Sequence, residues 1–440
     1  MGKVRKWQGN EMKKVLIVTY YFTKNELIAA IRPEGLAKFL PEFGWQVVVL
    51  TAKSELKPNA KFNVIETSCD DLSAKWKRRF HLNPNESVKD QLGFRTLKNR
   101  MTMFDRLIAL WKEIFARPDS YKDWQKHVIK ETQDLFSKER FDAMISVSSP
   151  LTSHLVAKKL KERYGIPWVA DMLDLWTQSP YYDPYIPIRK MIDIRMEVKT
   201  LASADAVTTV TQPFVEKLKE LHTGQDIRYI PFGFDPDQMN PGVTLSEKFT
   251  VVHTGYLYNG KRDPKIFFLA LSELIHEGKI DSRDIRIEFY GKREGWLENE
   301  IKKYDLQGMV TINGLVSREE SINVQRIAQM LLLLTWDDPR ESMVCPGKLY
   351  DYLAAGRPII SIGRSGSVVS DIINKTQAGI HAFDLNEIKK EIERAYSEFK
   401  STGRVSYKGV TSEIEKFNHR EVAREFARQL DSILTRLEKN

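Results

Sequence analysis

Apolar and polar positions along the chain fall into two successive series of alternating strand and helix patterns. The first opens with KKVLIVT at 13–19, an unbroken apolar run of the kind parallel strands show when both faces are covered. Leu36, Phe39, Leu40 and Phe43 then recur at the spacing of one helix face, Gly44 stops that helix, and 46–50 is a second apolar run. A strand, a helix and a strand in so short a stretch predict a βαβ unit with a right-handed crossover. Further strands are predicted at 141–147, 167–171, 204–210 and 227–231, with helices at 152–164 and 189–202. Turn-forming residues fill 232–242, which reads as a linker. The second series has strands at 249–255, 285–290, 309–312, 330–335, 358–362 and 378–382. Helical patterns lie near 264–276, 296–304, 318–327, 348–355 and 368–374. A last helix, 420–437, carries Val422, Phe426, Ile433 and Leu437 as an apolar stripe. Two α/β series of comparable size predict two doubly wound domains.

Composition narrows the class. With 440 residues, 42% hydrophobic and 29% charged, the chain is globular rather than disordered or fibrous. No run approaches the roughly 18 apolar residues of a membrane-spanning helix, and the basic start lacks an apolar leader core, so a cytoplasmic protein is expected. Cys69 and Cys345 alone cannot staple a scaffold or form a four-cysteine zinc site, and the eight histidines show no HExxH spacing, so no metal is expected. The net charge is 68 − 59 = +9, and 74–117 supplies 11 − 4 = +7 of it. That local excess points to one cationic surface for phosphates or an anionic membrane. Within it, Phe104, Leu107, Ile108, Trp111, Ile114 and Phe115 form one helical stripe, with Lys98, Arg106, Lys112 and Arg117 elsewhere. The plainer reading is a helix packed on the sheet; the functional one is a surface that docks on anionic lipid or grips a lipid diphosphate. Nothing else in the chain resembles a nucleic-acid module.

Open parallel sheets bind ligands beyond the carboxyl ends of their strands, so chemistry is sought there. After the first strand of the second series comes TGYLYNGKRDP at 254–264, in which Gly255 permits close backbone approach and Lys261 and Arg262 precede a helix start. Gly291 and Lys292 follow the next strand. Third is CPGKLYDYLAAGRP at 345–358, where Gly347 opens a short helix and Lys348 and Asp351 share a face. Backbone amides, a helix amino end and fixed positive charge suit a diphosphate, and Asp351 could take two ribose hydroxyls. Each cluster alone could be a plain turn; three in one domain make a site. His253 reads as core, and Asp235-Pro236-Asp237 as a turn rather than a metal motif.

The segment 346–358 with Ile359 and Ile360 resembles the donor-binding helix of GT-B glycosyltransferases, especially the retaining family 4 group (glycosyl transferases group 1). Arg32-Pro33, then LAKFL at 36–40 and GWQV at 44–47, is similar to that family's amino-terminal strand and helix. PWVADMLDLW at 167–176 resembles its P-x-x-x-D-x-R-D-x-W strand end, and 202–211 with IPFGFD at 230–235 resembles the approach to its linker. Three departures stand out. The first loop is TKNELIAA at 23–30 without a glycine pair, Leu173 replaces the arginine, and Met343 replaces the first of two glutamates, the second being matched by Asp351. The acid beside the sugar is therefore absent or supplied by Glu341.

The resemblance implies two Rossmann-like parallel-sheet domains facing a cleft. An acceptor domain would span 12–235, with a basic insertion at about 74–140, and a donor domain 249–410; the helical segment 411–440 would return to the first domain. It implies a metal-independent, retaining transferase without a cofactor, taking a UDP- or GDP-linked sugar to a glycan or lipid-diphosphate acceptor in surface polysaccharide biosynthesis, peripherally on the inner face of the membrane. Arg262 and Lys261 would neutralise the departing diphosphate. Gly255, Gly291, Lys292, Gly347, Lys348, Asp351 and Glu341 would hold the donor, and Asp174, Asp171, His154 and Arg32 would serve the acceptor side. Asp171 has the plainer reading of a helix cap, and His154 that of a structural residue. Two alternatives remain: a sugar-nucleotide 2-epimerase of the same fold, which should show more inward acids and histidines, and a non-catalytic sugar-nucleotide-binding protein, suggested by Met343.

Overall fold

The computed structural model describes residues 12–22, 28–54, 60–69, 117–182, 187–239 and 242–439. The stripe from Phe104 to Phe115 and its basic neighbours as far as residue 116 lie outside the described residues. The chain divides into two compact units, one made of residues 1–230 with 423–440, the other of 231–422.

In the first unit seven parallel strands are ordered β3-β2-β1-β4-β5-β6-β7. They are β1 (Lys13–Thr19), β2 (Trp45–Ala52), β3 (Val64–Thr67), β4 (Ala143–Val147), β5 (Trp168–Met172), β6 (Ala206–Thr209) and β7 (Ile227–Tyr229). From Val15 to Val18 no side chain reaches solvent, because helices cover both faces, and this explains the unbroken apolar run. Two helices matter below: α1 (Ile28–Phe39), and α2 (Thr152–Tyr164), which ends on Gly165 in the left-handed conformation at φ 70°.

The second unit holds six parallel strands ordered β10-β9-β8-β11-β12-β13. These are β8 (Phe249–Thr254), β9 (Ile285–Tyr290), β10 (Val310–Gly314), β11 (Met330–Leu334), β12 (Ile359–Ile362) and β13 (Gly379–Ala382). Helix α3 (Lys265–His276) follows β8, α4 (Arg318–Ile327) follows β10, and α5 (Gly347–Ala355) precedes β12. β8 is buried throughout and lies between β9 and β11, so its carboxyl end sits centrally in the sheet. Order reverses beside β8, the switch point where open sheets take ligands.

The last helix, α6 (His419–Lys439), begins in the second unit and from residue 423 onward belongs to the first. Val422, Phe426 and Ile433 of its stripe are buried, whereas Leu437 near its end is exposed. Asp235 caps a short 3-10 turn, Pro236–Gln238, by accepting from the Asp237 amide at 3.0 Å. Several described elements go beyond the sequence expectations, among them strand β3 and the helices Trp124–Glu131, Gln133–Lys138, Gln212–Leu221 and Leu385–Thr402.

Candidate functional site

The centre of the site is the end of β8. Gly255 follows the strand at φ 101°, a conformation that glycine adopts without penalty. A Cβ there would stand 2.9 Å from Lys348 Nζ, so the missing side chain gives the ammonium its place over the backbone. Gly291, after β9, packs so tightly that its Cβ would lie 2.3 Å from the Gly255 carbonyl oxygen. Both glycines are thus required by close approach, and together they leave the strand ends bare of side chains.

Lys348 is the second residue of α5, whose amino end receives no side-chain cap among the described residues. The backbone amides of that end and the helix dipole add partial positive charge beside the ammonium. Arg262 is buried, and its guanidinium lies 4.7 Å from the Tyr258 ring. Burial and the Arg262 charge push the Lys348 ammonium well below its usual value, opposed by Asp351. Burial also lowers Arg262. Among the described residues neither cation has a carboxylate within ion-pair distance, because Asp351 is engaged by Arg318 through bonds of 2.8 and 3.3 Å to its two oxygens. Two confined cations without counter-ions, next to an uncapped helix end, form a place that an anion would stabilise.

Other residues expected here are arranged differently. Gly347 is the first residue of α5, beside Lys348. Lys261 is exposed and turned onto the Trp336 ring, its Nζ 4.1 Å from the centroid. Lys292 is exposed after β9. Glu341 is buried in the short 3-10 helix Pro339–Met343, and burial raises its carboxyl to about 7.

In the first unit the expected acceptor residues separate into core and surface. Asp171 is not a helix cap or a surface acid. It lies inside β5 and accepts from Arg32 Nε and Nη2 at 2.9 and 3.1 Å and from Thr208 Oγ1 at 2.7 Å, all three side chains being buried. Arg32 also donates to the Ile230 carbonyl at 3.2 Å and stacks on Phe426 at 4.9 Å, tying α1, β5, the end of β7 and α6 together. The expectation that Arg32 and Asp171 face an acceptor gives way to a buried ion pair that serves the fold. His154 likewise belongs to the core: its Nδ1 lies 2.7 Å from Ser146 Oγ, and burial pushes it down to about 3, leaving a neutral ring. Asp174, two residues past β5, is an exposed residue, and desolvation raises its carboxyl above the usual carboxylate range.

Residues 29–233 match the glycosyl transferase 4-like domain family. No curated protein matches the chain by sequence. Solved structures match over nearly the whole chain. Sucrose-phosphate synthase from Thermosynechococcus elongatus is 13% identical, with 96% of this chain and 99% of that one covered and a TM-score of 0.62. Anabaena HepE, solved in complex with UDP and glucose, is 14% identical, with 96% and 100% covered and a TM-score of 0.57. The α,α-trehalose 6-phosphate synthase from Burkholderia multivorans is 11% identical, with 97% and 100% covered and a TM-score of 0.59. The chain has the fold of the GT-B glycosyltransferases, and its residues 29–233 are similar to the glycosyl transferase 4-like domain.

In this GT-B chain several residues around the site escape sequence reasoning. Arg318 heads α4 just after its Ser317 cap, and only the fold brings it to Asp351. Tyr352, one turn beyond Lys348, accepts from the Thr254 amide at 2.9 Å and donates to the Leu332 carbonyl at 3.3 Å, pinning α5 to the ends of β8 and β11. The spacing of Lys348 and Tyr352, four residues apart on one helix face, was the available signal.

Proposed function

We propose that the protein transfers a sugar from a nucleotide-linked donor to a glycan or lipid-linked acceptor, with the diphosphate held in the second unit at Lys348, Arg262 and the amino end of α5. What carries this reading is the pair of cations at the end of β8 that has no carboxylate counter-ion among the described residues. When the bond from sugar to diphosphate breaks, negative charge grows on the leaving oxygen. Preorganised cations and amides stabilise that charge more than they stabilise the ground state. Gly255 leaves room for the Lys348 ammonium and Gly291 for the Gly255 carbonyl, and Asp351 offers its carboxylate to the ribose hydroxyls. Lys261 and Lys292, both exposed, would close on the phosphates only by reorienting. Asp174 is proposed to orient the acceptor hydroxyl, and the chemistry to need no metal and to retain the anomeric configuration.

The wider role proposed is surface polysaccharide assembly on the inner face of the membrane, with the basic stretch 74–117 attracted to anionic lipid. Among the described residues no helix is long and apolar enough to cross a membrane. Incubation with a panel of UDP- and GDP-linked sugars, with and without glycan or lipid-diphosphate acceptors, is the test. Acceptor-dependent release of the nucleoside diphosphate is expected, and Arg262→Ala should abolish it while leaving the thermal melt unchanged. Interconversion of sugar nucleotides without net release would indicate the epimerase, and binding without turnover a non-catalytic protein.

A further inference from the structure

His253 occupies the penultimate position of β8, is buried, and packs its ring 5.4 Å from Phe289 in the unit's core. An apolar side chain could fill that place. The imidazole, however, makes two directed contacts. Nδ1 lies 2.9 Å from the Leu332 carbonyl oxygen, an acceptor only, so Nδ1 carries the proton. Nε2 is then a lone pair, and it lies 3.4 Å from Lys348 Nζ. The Leu332 carbonyl that fixes the tautomer also receives the Tyr352 hydroxyl, so one peptide group orients both the imidazole and the helix that bears Lys348.

We propose that His253 is a positioning residue for Lys348, its neutral Nε2 holding the ammonium over Gly255 where a diphosphate would be bound. The inference rests on the donor-site reading given above. Its physical content is a dipole: the negative end of the imidazole faces an ammonium that Arg262 opposes, and so favours the charged form of the lysine. The same neighbours act on the ring, because burial first, and then Lys348 and Arg262, keep His253 well below its usual value and therefore neutral. Bond, tautomer and charge state agree.

The test is the affinity of the full chain for inorganic pyrophosphate, measured calorimetrically in mildly acid and mildly alkaline buffer. His253→Phe keeps a ring of similar shape but has no lone pair, while His253→Gln restores an acceptor. Loss of a hydrogen bond to a charged group should weaken binding about tenfold. The loss should be greater in alkaline buffer, since an unsupported Lys348 gives up its proton at lower pH. Gln should recover most of the affinity. If Lys348→Ala removes binding but His253→Phe leaves affinity and pH profile unchanged, the inference is overturned and the donor-site reading stands. If Lys348→Ala leaves pyrophosphate binding intact, that reading fails and takes this inference with it. Should His253→Phe not fold, nitrogen NMR of the wild-type imidazoles decides: an Nδ1-protonated His253 whose Nε2 signal moves with pyrophosphate supports the role, and an Nε2-protonated ring overturns it.

Discussion

Gly255 and Lys348, ninety-three positions apart in sequence (348 − 255), are fitted to each other so closely that a single methyl group on the glycine would stand 2.9 Å from the lysine nitrogen. Gly255→Ala therefore does two things. It places a side chain at φ 101°, which costs on the order of 1–3 kcal/mol of stability. It also drives the ammonium off the strand end. The expected outcome is at least a tenfold fall in kcat/KM for the donor, with a melting temperature lowered by only a few degrees. Wild-type turnover in the purified variant would show that Lys348 does not need that place.

The Arg32–Asp171 pair leads to a prediction about stability. Both groups are buried and bonded through both carboxylate oxygens. Removing one partner leaves a charge stranded away from water, so Asp171→Ala should destabilise the first unit by about 3–5 kcal/mol. Because the burden is the stranded charge, the double variant Arg32→Met, Asp171→Leu should regain much of that loss. Denaturant unfolding of the single and double variants checks both figures, and additive losses would show that the two residues do not act as a pair.

Glu341 makes stability depend on pH in a definite direction. Its carboxyl is raised from 4.5 to about 7 by burial, so the folded protein holds a proton that the unfolded chain releases earlier. The stabilisation is complete below about 4.5 and is lost as pH rises through about 7. Allowing for solvent screening, the loss is on the order of 2 kcal/mol. Glu341→Gln should flatten the stability profile in this window and be more stable than wild type in mildly alkaline buffer. Thermal melts across the window give the answer, and identical slopes would remove Glu341 as the cause.

Strands and the helices that follow them were legible because the burial of both sheet faces writes itself as unbroken apolar runs; KKVLIVT and MLLLL are β1 and β11 almost to the residue. Leu385–Thr402 left a weaker trace, yet Ile388, Ile392, Ala395 and Phe399 are buried at helical spacing and were there to be read. β3 is a four-residue strand at the edge of its sheet, only partly buried, and too short to show a period. At the site, Gly255 and Gly291 are legible because each directly follows a strand, and Arg262 and Lys348 because each lies beside a helix start beyond a strand's carboxyl end. Asp171 shows the limit of that signal: a charged residue near a strand end looks available to solvent, and only the tertiary fold reveals that Arg32 has taken both its oxygens. His253 and Arg318 depend on contacts between elements far apart in sequence, which no local pattern encodes.

The return of α6 to the first unit has a bearing on how the protein can be divided. The 231–422 unit is an insertion within the other, entered at one junction and left at another. Cleavage at residue 230 alone would yield an amino-terminal fragment deprived of Phe426, the ring on which Arg32 rests, and so with a gap beside its own buried charge. A faithful separation would have to excise 231–422 and rejoin residue 230 to 423 through a linker. The inserted unit could be expressed by itself, but its former host would need the carboxy-terminal helix supplied back.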